Sequence, residues 1–368
     1  MAIVFFGFLI LRTPAINITS KKGKIFAAIF ALGVLYTLII VVRSIFFFVD
    51  NSYTPIKSNI SEKDLNVYPF DVGFCEQDCK VIQTDFVKLD SNNVYQVDKS
   101  KVRNLTSGGG THYVPVTVAL YALAHHTRFV RYNDPKDEAL FLSNANWFRE
   151  TISEDGCWIY HFDLLKSKAP WCSGMAQGLG LSALMRAYTH TGDESYLDAA
   201  KQALRTFELD NKYTVTHITD DGYHFYEETS AKDQPIQILN GFLFAMIGLR
   251  DMELMGGSIA AGEYYQQSIR TFKQYALEWE TGNWSLYSLD PESNLRNHYR
   301  YVSPHYQRLH VVMLQALADQ TGIKDFQEAY VRHLDYLENS WVNAIIIPAY
   351  LVYRDLSAVV KTVRNLFD

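Results

Sequence analysis

The chain has 368 residues, 48% of them hydrophobic, and a formal charge of -6 at pH 7. That apolar content excludes a disordered chain and leaves ample material for a core, in one large domain or two smaller ones. The mild acidity and the lack of a long basic run argue against a nucleic-acid partner.

In chain order, residues 1–24 read as a cytoplasmic N-terminal segment and 25–49 as a transmembrane signal anchor. Ile25 to Val42 carries no charge, and Ser44 to Val49 extends the run beyond Arg43, which is long enough to cross a bilayer. Arg12, Lys21, Lys22 and Lys24 precede it, so the positive-inside bias predicts a single-pass type II membrane protein with the rest of the chain outside the cytoplasm. A cleaved signal peptide is the competing reading, but the run is too long for its apolar region and lacks a clear cleavage site. The triplets Asn59-Ile60-Ser61, Asn104-Leu105-Thr106 and Asn283-Trp284-Ser285 are glycosylation sequons on the exported side. Cys75 and Cys79, and Cys157 and Cys172, lack a zinc-ligand pattern. One or two disulfides or buried free thiols are the open readings.

Residues 50–110 are polar, with Pro55 and Pro69 and short alternating pieces, and read as a stem leading into a few strands. From Pro115 the apolar spacing becomes helical, and the predicted helices come in pairs: 116–129 with 136–151, 174–190 with 194–207, 235–255 with 261–279, and 304–320 with 324–337. Thr191-Gly192-Asp193 and Thr321-Gly322 punctuate two of the pairs and Asn133-Asp134-Pro135 another, as expected where Gly or Asn ends one helix and an acidic residue begins the next. The fold class expected is mainly α, an (α/α) toroid or incomplete α/α barrel over 111–339, with accessory strands near 156–163, 213–228 and 283–289. The apolar tail 340–368 is too short to span a membrane and suits core packing or a partner surface.

Three polar, aromatic clusters fall at joints between these pairs. The first runs from Trp158-Ile159-Tyr160-His161-Phe162-Asp163 to Trp171-Cys172-Ser173-Gly174-Met175-Ala176-Gln177-Gly178, where small residues let a helix N-terminus approach a carboxylate or a neighbouring helix. The second is Tyr223 to Thr229, with adjacent Glu227 and Glu228 in an extended run. Alternate residues of a strand face opposite ways, so one carboxylate can enter an aromatic cleft while the other meets solvent. Taken alone, the stretch reads equally as a solvated hairpin. The third spans Tyr287 to Arg308 and concentrates phenols, imidazoles and guanidinium groups. Aromatic residues make up 14% of the chain, with 24 Tyr, a composition that suits a sugar-binding cleft and an ordinary core alike.

Trp171-Cys172-Ser173-Gly174-Met175-Ala176-Gln177-Gly178, Tyr226-Glu227-Glu228, Leu239-Asn240-Gly241-Phe242, Ile247-Gly248-Leu249 with Asp251, and Tyr287 with Tyr301 and His305, in that order, resemble the D-glucuronyl C5-epimerase family from about Thr111 to Leu337. The resemblance implies an (α/α) toroid that inverts C5 of hexuronate residues inside a polysaccharide such as heparosan, turning D-glucuronate into L-iduronate. It implies a Golgi location if the source is eukaryotic, or the cell surface otherwise, a possible homodimer, and no metal or other cofactor. Inversion needs proton removal next to a carboxylate and return from the opposite face. By resemblance Glu228 is the catalytic carboxylate, in the cleft with Glu227 on the other face, and Tyr287 and Tyr301 are the acid/base phenols. Arg300, His298 and Arg296 would depress a phenol pKa or hold the uronate. His305, Arg308, Tyr226, Gln177 and Asn240 complete the expected substrate site.

Departures from the family pattern are Thr229-Ser230, where Tyr-Pro usually follows the glutamates, Arg300 in place of an aspartate, Cys172, and a shortened N-terminal β region. Three alternatives remain: a lyase that shares the C5 proton abstraction, a glycoside hydrolase using Asp163 with Glu228, and a silent glycan-binding or assembly subunit.

Overall fold

A computed structural model of the chain describes residues 67–71, 84–101, 110–164, 167–230, 235–290 and 302–338, together with 31–36, 38–39, 42, 75–76 and 80–81. The chain divides into two units, residues 54–343 and a second made of 1–53 with 344–368. In the second unit the described positions of the expected anchor are helical, and Leu32, Leu35, Leu38 and Ile39 are exposed. Among the described residues no helix is long and apolar enough to cross a membrane. The remainder of 25–49, and the tail from 339 onward, lie outside them.

In the larger unit, the short strands β1 (Cys75–Glu76) and β2 (Lys80–Val81) form one antiparallel pair. β3 (Val87–Leu89), β4 (Tyr95–Asp98) and β5 (Thr111–His112) form a second antiparallel sheet in chain order. This sheet rests on the first helix, where Tyr95 stacks on Tyr121 with ring centroids 3.9 Å apart. Four helical hairpins follow: α1 (Pro115–Tyr132) with α2 (Pro135–Thr151), α3 (Gly174–Thr191) with α4 (Glu194–Leu204), α5 (Leu239–Gly256) with α6 (Ile259–Tyr275), and α7 (Pro304–Thr321) with α8 (Lys324–Glu338). The hairpin β6 (Thr216–Ile218) and β7 (His224–Tyr226) lies between α4 and α5.

Local chemistry sets the hairpin turns. Asn133, Gly192, Gly257 and Gly322 each take the left-handed conformation that ends a helix. Asp134, Asp193 and Ser258 then cap the next helix by accepting from Lys136, Ser195 and Ala261 N–H. Turns this short force antiparallel partners. α1, α3, α5 and α7 pack successively as an inner row, and α2, α4, α6 and α8 each cover one of them. The result is an arc of hairpins.

The inner row is tightest between α3 and α5. A Cβ on Gly248 would collide with the Gly178 carbonyl oxygen, and one on Gly178 with the backbone of Phe244 and Ala245. Only glycine at both positions allows this approach. Further along the same contact, Arg186 donates to Asp251 at 2.6 Å with both side chains almost wholly buried. It also donates to the carbonyls of Ser182 and Val67, and its guanidinium lies over the Tyr68 ring.

All eight predicted helices form, and two features differ from expectation. The third pair begins at Leu239, not Pro235, because Ile236 and Gln237 spend their N–H groups on the Glu227 carboxylate and Ile238 pairs with Ser288. Around 156–163 and 283–289 the chain forms isolated bridges, Tyr160 with Trp171 and Ile238 with Ser288, where strands were expected.

Removing one member of a buried ion pair strands the other charge. Asp251→Ala is therefore expected to lower stability by about 3–5 kcal/mol, and the paired change Arg186→Met with Asp251→Leu by less, as read from urea unfolding midpoints.

Candidate active site

The starts of all four inner helices are linked at one end of the arc by hydrogen bonds and the short chain segments between them. Val116 N–H, in the first turn of α1, donates to the Tyr160 phenol at 3.3 Å. Tyr160 is bridged to Trp171, and its ring stacks on that indole at 4.1 Å. Trp171 leads into Cys172 and into Ser173, whose hydroxyl caps α3 by accepting from Ala176 N–H. The Cys157–Cys172 disulfide closes the loop that presents Tyr160.

From α3 the links pass to the paired glutamates. Gly174 N–H donates to the Glu227 carbonyl at 2.7 Å, and the Ser230 hydroxyl donates to the Cys172 carbonyl at 2.7 Å. Leu239 N–H, at the start of α5, donates to the Tyr287 carbonyl. The indole of nearby Trp284 donates to the Val302 carbonyl, and Val302 N–H returns to Ser285, beside the first turn of α7. Helix N-termini carry partial positive charge and open N–H groups, so this end of the arc favours carboxylate ligands.

The two glutamates differ in environment. Glu227 is the more deeply buried, 3% exposed, and its Oε2 accepts from Ile236 and Gln237 N–H at 3.1 and 2.9 Å. This corrects the expectation that Glu227 faces away into solvent: its carboxylate organises the main chain that leads into α5. Glu228 keeps a partly accessible edge at the start of α5, and its Oε2 accepts from Asn240 Nδ2 at 3.2 Å. A Cβ on Gly241 would stand 2.6 Å from that Oε2, so glycine is what lets the carboxylate sit against the helix. Burial, offset in part by the Asn240 hydrogen bond and reinforced by the Glu227 charge, raises the Glu228 pKa to about 7.

Tyr287 comes to the same end by its backbone, and its ring meets Tyr306 edge-on at 5.4 Å. His305 and Arg308 lie one turn apart on α7, with His305 exposed. The surrounding protein, then the Arg308 charge, lower the His305 pKa. Arg296, His298, Arg300 and Tyr301 lie outside the described residues. Two expected substrate contacts are spent in the core. Tyr226 is 1% exposed and donates to the Tyr264 carbonyl at 2.7 Å. Gln177 Nε2 donates to Gly156 O, Ala203 O and Thr206 Oγ1, while its Oε1 accepts from Trp158 N–H. Asn240 touches Glu228 itself.

Sequence reasoning missed Tyr160. Its buried phenol accepts from Val116 N–H and stands in the field of Glu228. Burial, and further that charge, raise its pKa, so the phenol stays neutral. The signal was present in the Trp158-to-Asp163 aromatic run, but position along the sequence does not reveal that the loop folds back onto Glu228. Ser285, His333 and Glu280 also align, with Ser285 Oγ 3.0 Å from His333 Nδ1 and His333 Nε2 3.6 Å from Glu280. The serine is fully buried and donates to Gln307 Oε1 at 2.7 Å. This trio therefore fastens α7 to α8 and presents no nucleophile.

A carboxyl whose folded pKa is raised above its unfolded value is stable as the neutral acid and costs stability once ionised. The cost is absent below the unfolded value near 4.3, grows as pH rises, and is complete above about 7. Discounted for the accessible edge of Glu228, Glu228→Gln is expected to stabilise the chain by about 2 kcal/mol at pH 8.5 and by almost nothing at pH 4. Urea unfolding at the two pH values checks both the sign and the window.

Comparison with known proteins places these residues in a family. The profile described as D-glucuronyl C5-epimerase C-terminus matches residues 153–335. The D-glucuronyl C5-epimerase of Caenorhabditis elegans is 31% identical over 167 residues, covering 40% of this chain and 27% of the worm protein. An uncharacterized protein of Methanocaldococcus jannaschii is 26% identical over 180 residues, covering 47% of this chain and 55% of its own length. Among solved structures a polysaccharide lyase overlaps 61% of this chain and 28% of its own, with 14% identity and a TM-score of 0.35. The chain thus spans about a quarter of the worm protein and about half of the archaeal one. The segment that carries Glu228, Asn240 and Tyr287 is matched throughout, and through it the chain belongs to the D-glucuronyl C5-epimerase family.

Proposed function

We propose that the chain is a hexuronate C5-epimerase acting within a glycan polymer, converting D-glucuronate to L-iduronate residues. The observation that carries this reading is Glu228, a carboxyl with a pKa raised to about 7, seated where helix N-termini converge. Such a group is ionised often enough near neutral pH to accept a proton, and basic enough to hold it. In the proposed reaction the Glu228 carboxylate takes the C5 proton, and the electron pair left behind spreads onto the uronate carboxylate. The positive ends of α3 and α5 favour that charge. Tyr287 and Tyr301 are proposed to return a proton to the opposite face, and His305 and Arg308 to hold the polymer. The membrane anchor at 25–49, an extracytoplasmic catalytic domain, a closed toroid and a homodimer through 340–368 belong to the same proposal.

The hydrolase alternative is weakened by Asp163. That side chain is tied to Lys168 at 2.7 Å and to Ala169 N–H, so both of its oxygens already have partners. A lyase shares the first step and then expels the 4-linked sugar.

Purified protein incubated with a panel of uronate polymers in heavy water separates the readings. Deuterium at C5 without ultraviolet-absorbing unsaturated ends is expected. Unsaturated ends would indicate a lyase, and no exchange on any polymer would indicate a binding subunit. Exchange is expected to rise with pH through about 7 as Glu228 ionises. Glu228→Gln is expected to lower it by about a thousandfold or more, and Tyr287→Phe by at least about tenfold.

A further inference from the structure

Asn240 is anomalous at its position. It is 2% exposed, its Nδ2 donates to Glu228 Oε2 at 3.2 Å, and its Oδ1 is buried with no hydrogen-bond partner. An unsatisfied buried amide oxygen costs free energy unless some state of the protein satisfies it. The group within reach that changes its hydrogen-bonding character is Glu228. As a carboxylate it only accepts, and as a carboxylic acid it also donates.

We propose that Asn240 is a positioning residue that follows Glu228 through its protonation cycle, its Nδ2 donating to the carboxylate and its Oδ1 accepting from the carboxylic acid. This inference rests on Glu228 acting as the base. When Glu228 takes the C5 proton, the C5–H bond breaks, its electron pair stays with the sugar, and the new O–H lies on the glutamate. Rotation of the Asn240 amide about its Cβ–Cγ bond turns Oδ1 toward that hydrogen. The carboxyl is thereby held in one place in both states, as a proton-transfer group must be. Gly241 keeps the Glu228 side chain against the first turn of α5, so the amide and the carboxyl share one short segment of backbone.

The titratable group acting on Glu228 is Glu227, beside it in the chain, and Glu228 in turn acts on Tyr160, from the loop before α3. Glu227 and Tyr160 are unchanged by substitutions at Asn240. Asn240→Leu removes donor and acceptor at similar volume, and Asn240→Asp keeps the shape while adding a second carboxyl.

The test follows the Glu228 side-chain carboxyl by carbon-13 NMR in the substrate-free protein, beside the kcat and KM of C5 exchange. In Asn240→Leu the Glu228 midpoint is expected to rise above the wild-type value. Its kcat is expected to fall by about thirtyfold with KM changed by less than about threefold. In Asn240→Asp the midpoint is expected to rise further, and the pH–kcat profile to move to higher pH with it. Should Asn240→Leu fail to fold, Asn240→Asp alone decides. Unmoved midpoints in the folded variants overturn the proposal. A rise in KM with kcat unchanged also overturns it, making Asn240 a substrate contact. Should the wild type exchange no uronate C5 proton, the functional reading fails, and the titration midpoints still decide whether Asn240 holds Glu228.

Discussion

The backbone contact between α3 and α5 sets the geometry on which the candidate site depends. Gly178 and Gly248 let the two helices touch without intervening side chains, which brings Gly174 at the head of α3 within hydrogen-bonding distance of the Glu227 carbonyl. The Arg186–Asp251 pair fixes the same two helices farther along. A buried ion pair adds little net stability over an apolar pair, but it tolerates very few relative positions of its partners. The glycines set how close the helices come and the ion pair sets how they slide, so together they determine where the head of α5 presents Glu228.

Adjacent glutamates with opposite roles follow from this arrangement. Glu227 arrives with its side chain directed into the chain segment before α5, where two main-chain N–H groups bind its Oε2. Those N–H groups would otherwise be unpaired at a buried helix entrance, so Glu227 does the work of a cap from outside the helix. Glu228 receives one side-chain hydrogen bond and a like charge next to it. The positive end of α5 would by itself favour the ionised form. Burial and Glu227 outweigh it, and a pKa near 7 is the balance. Position in a strand cannot distinguish these environments, because alternation says which residues face opposite ways and not what each face meets.

Much of the architecture was legible because it is local. The helical spacing and the Thr-Gly-Asp punctuation act within one turn of chain, and they located the four hairpins to within a few residues. What was not legible depends on contacts distant in sequence. Pro235 to Ile238 looks helical by pattern, yet a carboxylate nine residues upstream of Ile236 takes up the N–H groups that a helix start leaves open. Tyr226 and Gln177 belong to motifs that resemble a family's cleft, yet both side chains turn inward, one to the Tyr264 carbonyl and one to three acceptors around Gly156. A motif preserves the order of residues around a site, and within it some residues build the wall while others face the cleft.

Thr229, which follows the paired glutamates, is buried and brings no phenol to the site. Tyr160 lies in the loop before α3, held by the stacked Trp171 ring, by Val116 N–H and by the disulfide at the base of its loop. A phenol on such a closed loop loses little freedom when it makes a hydrogen bond, and its raised pKa keeps it protonated across the range in which Glu228 titrates. On the proposed reaction, proton uptake converts Glu228 from a charge that occupies the positive end of α5 into a neutral acid. The helix field is then free to act on the charge that has just appeared on the substrate, and a phenol that stays neutral does not compete for it.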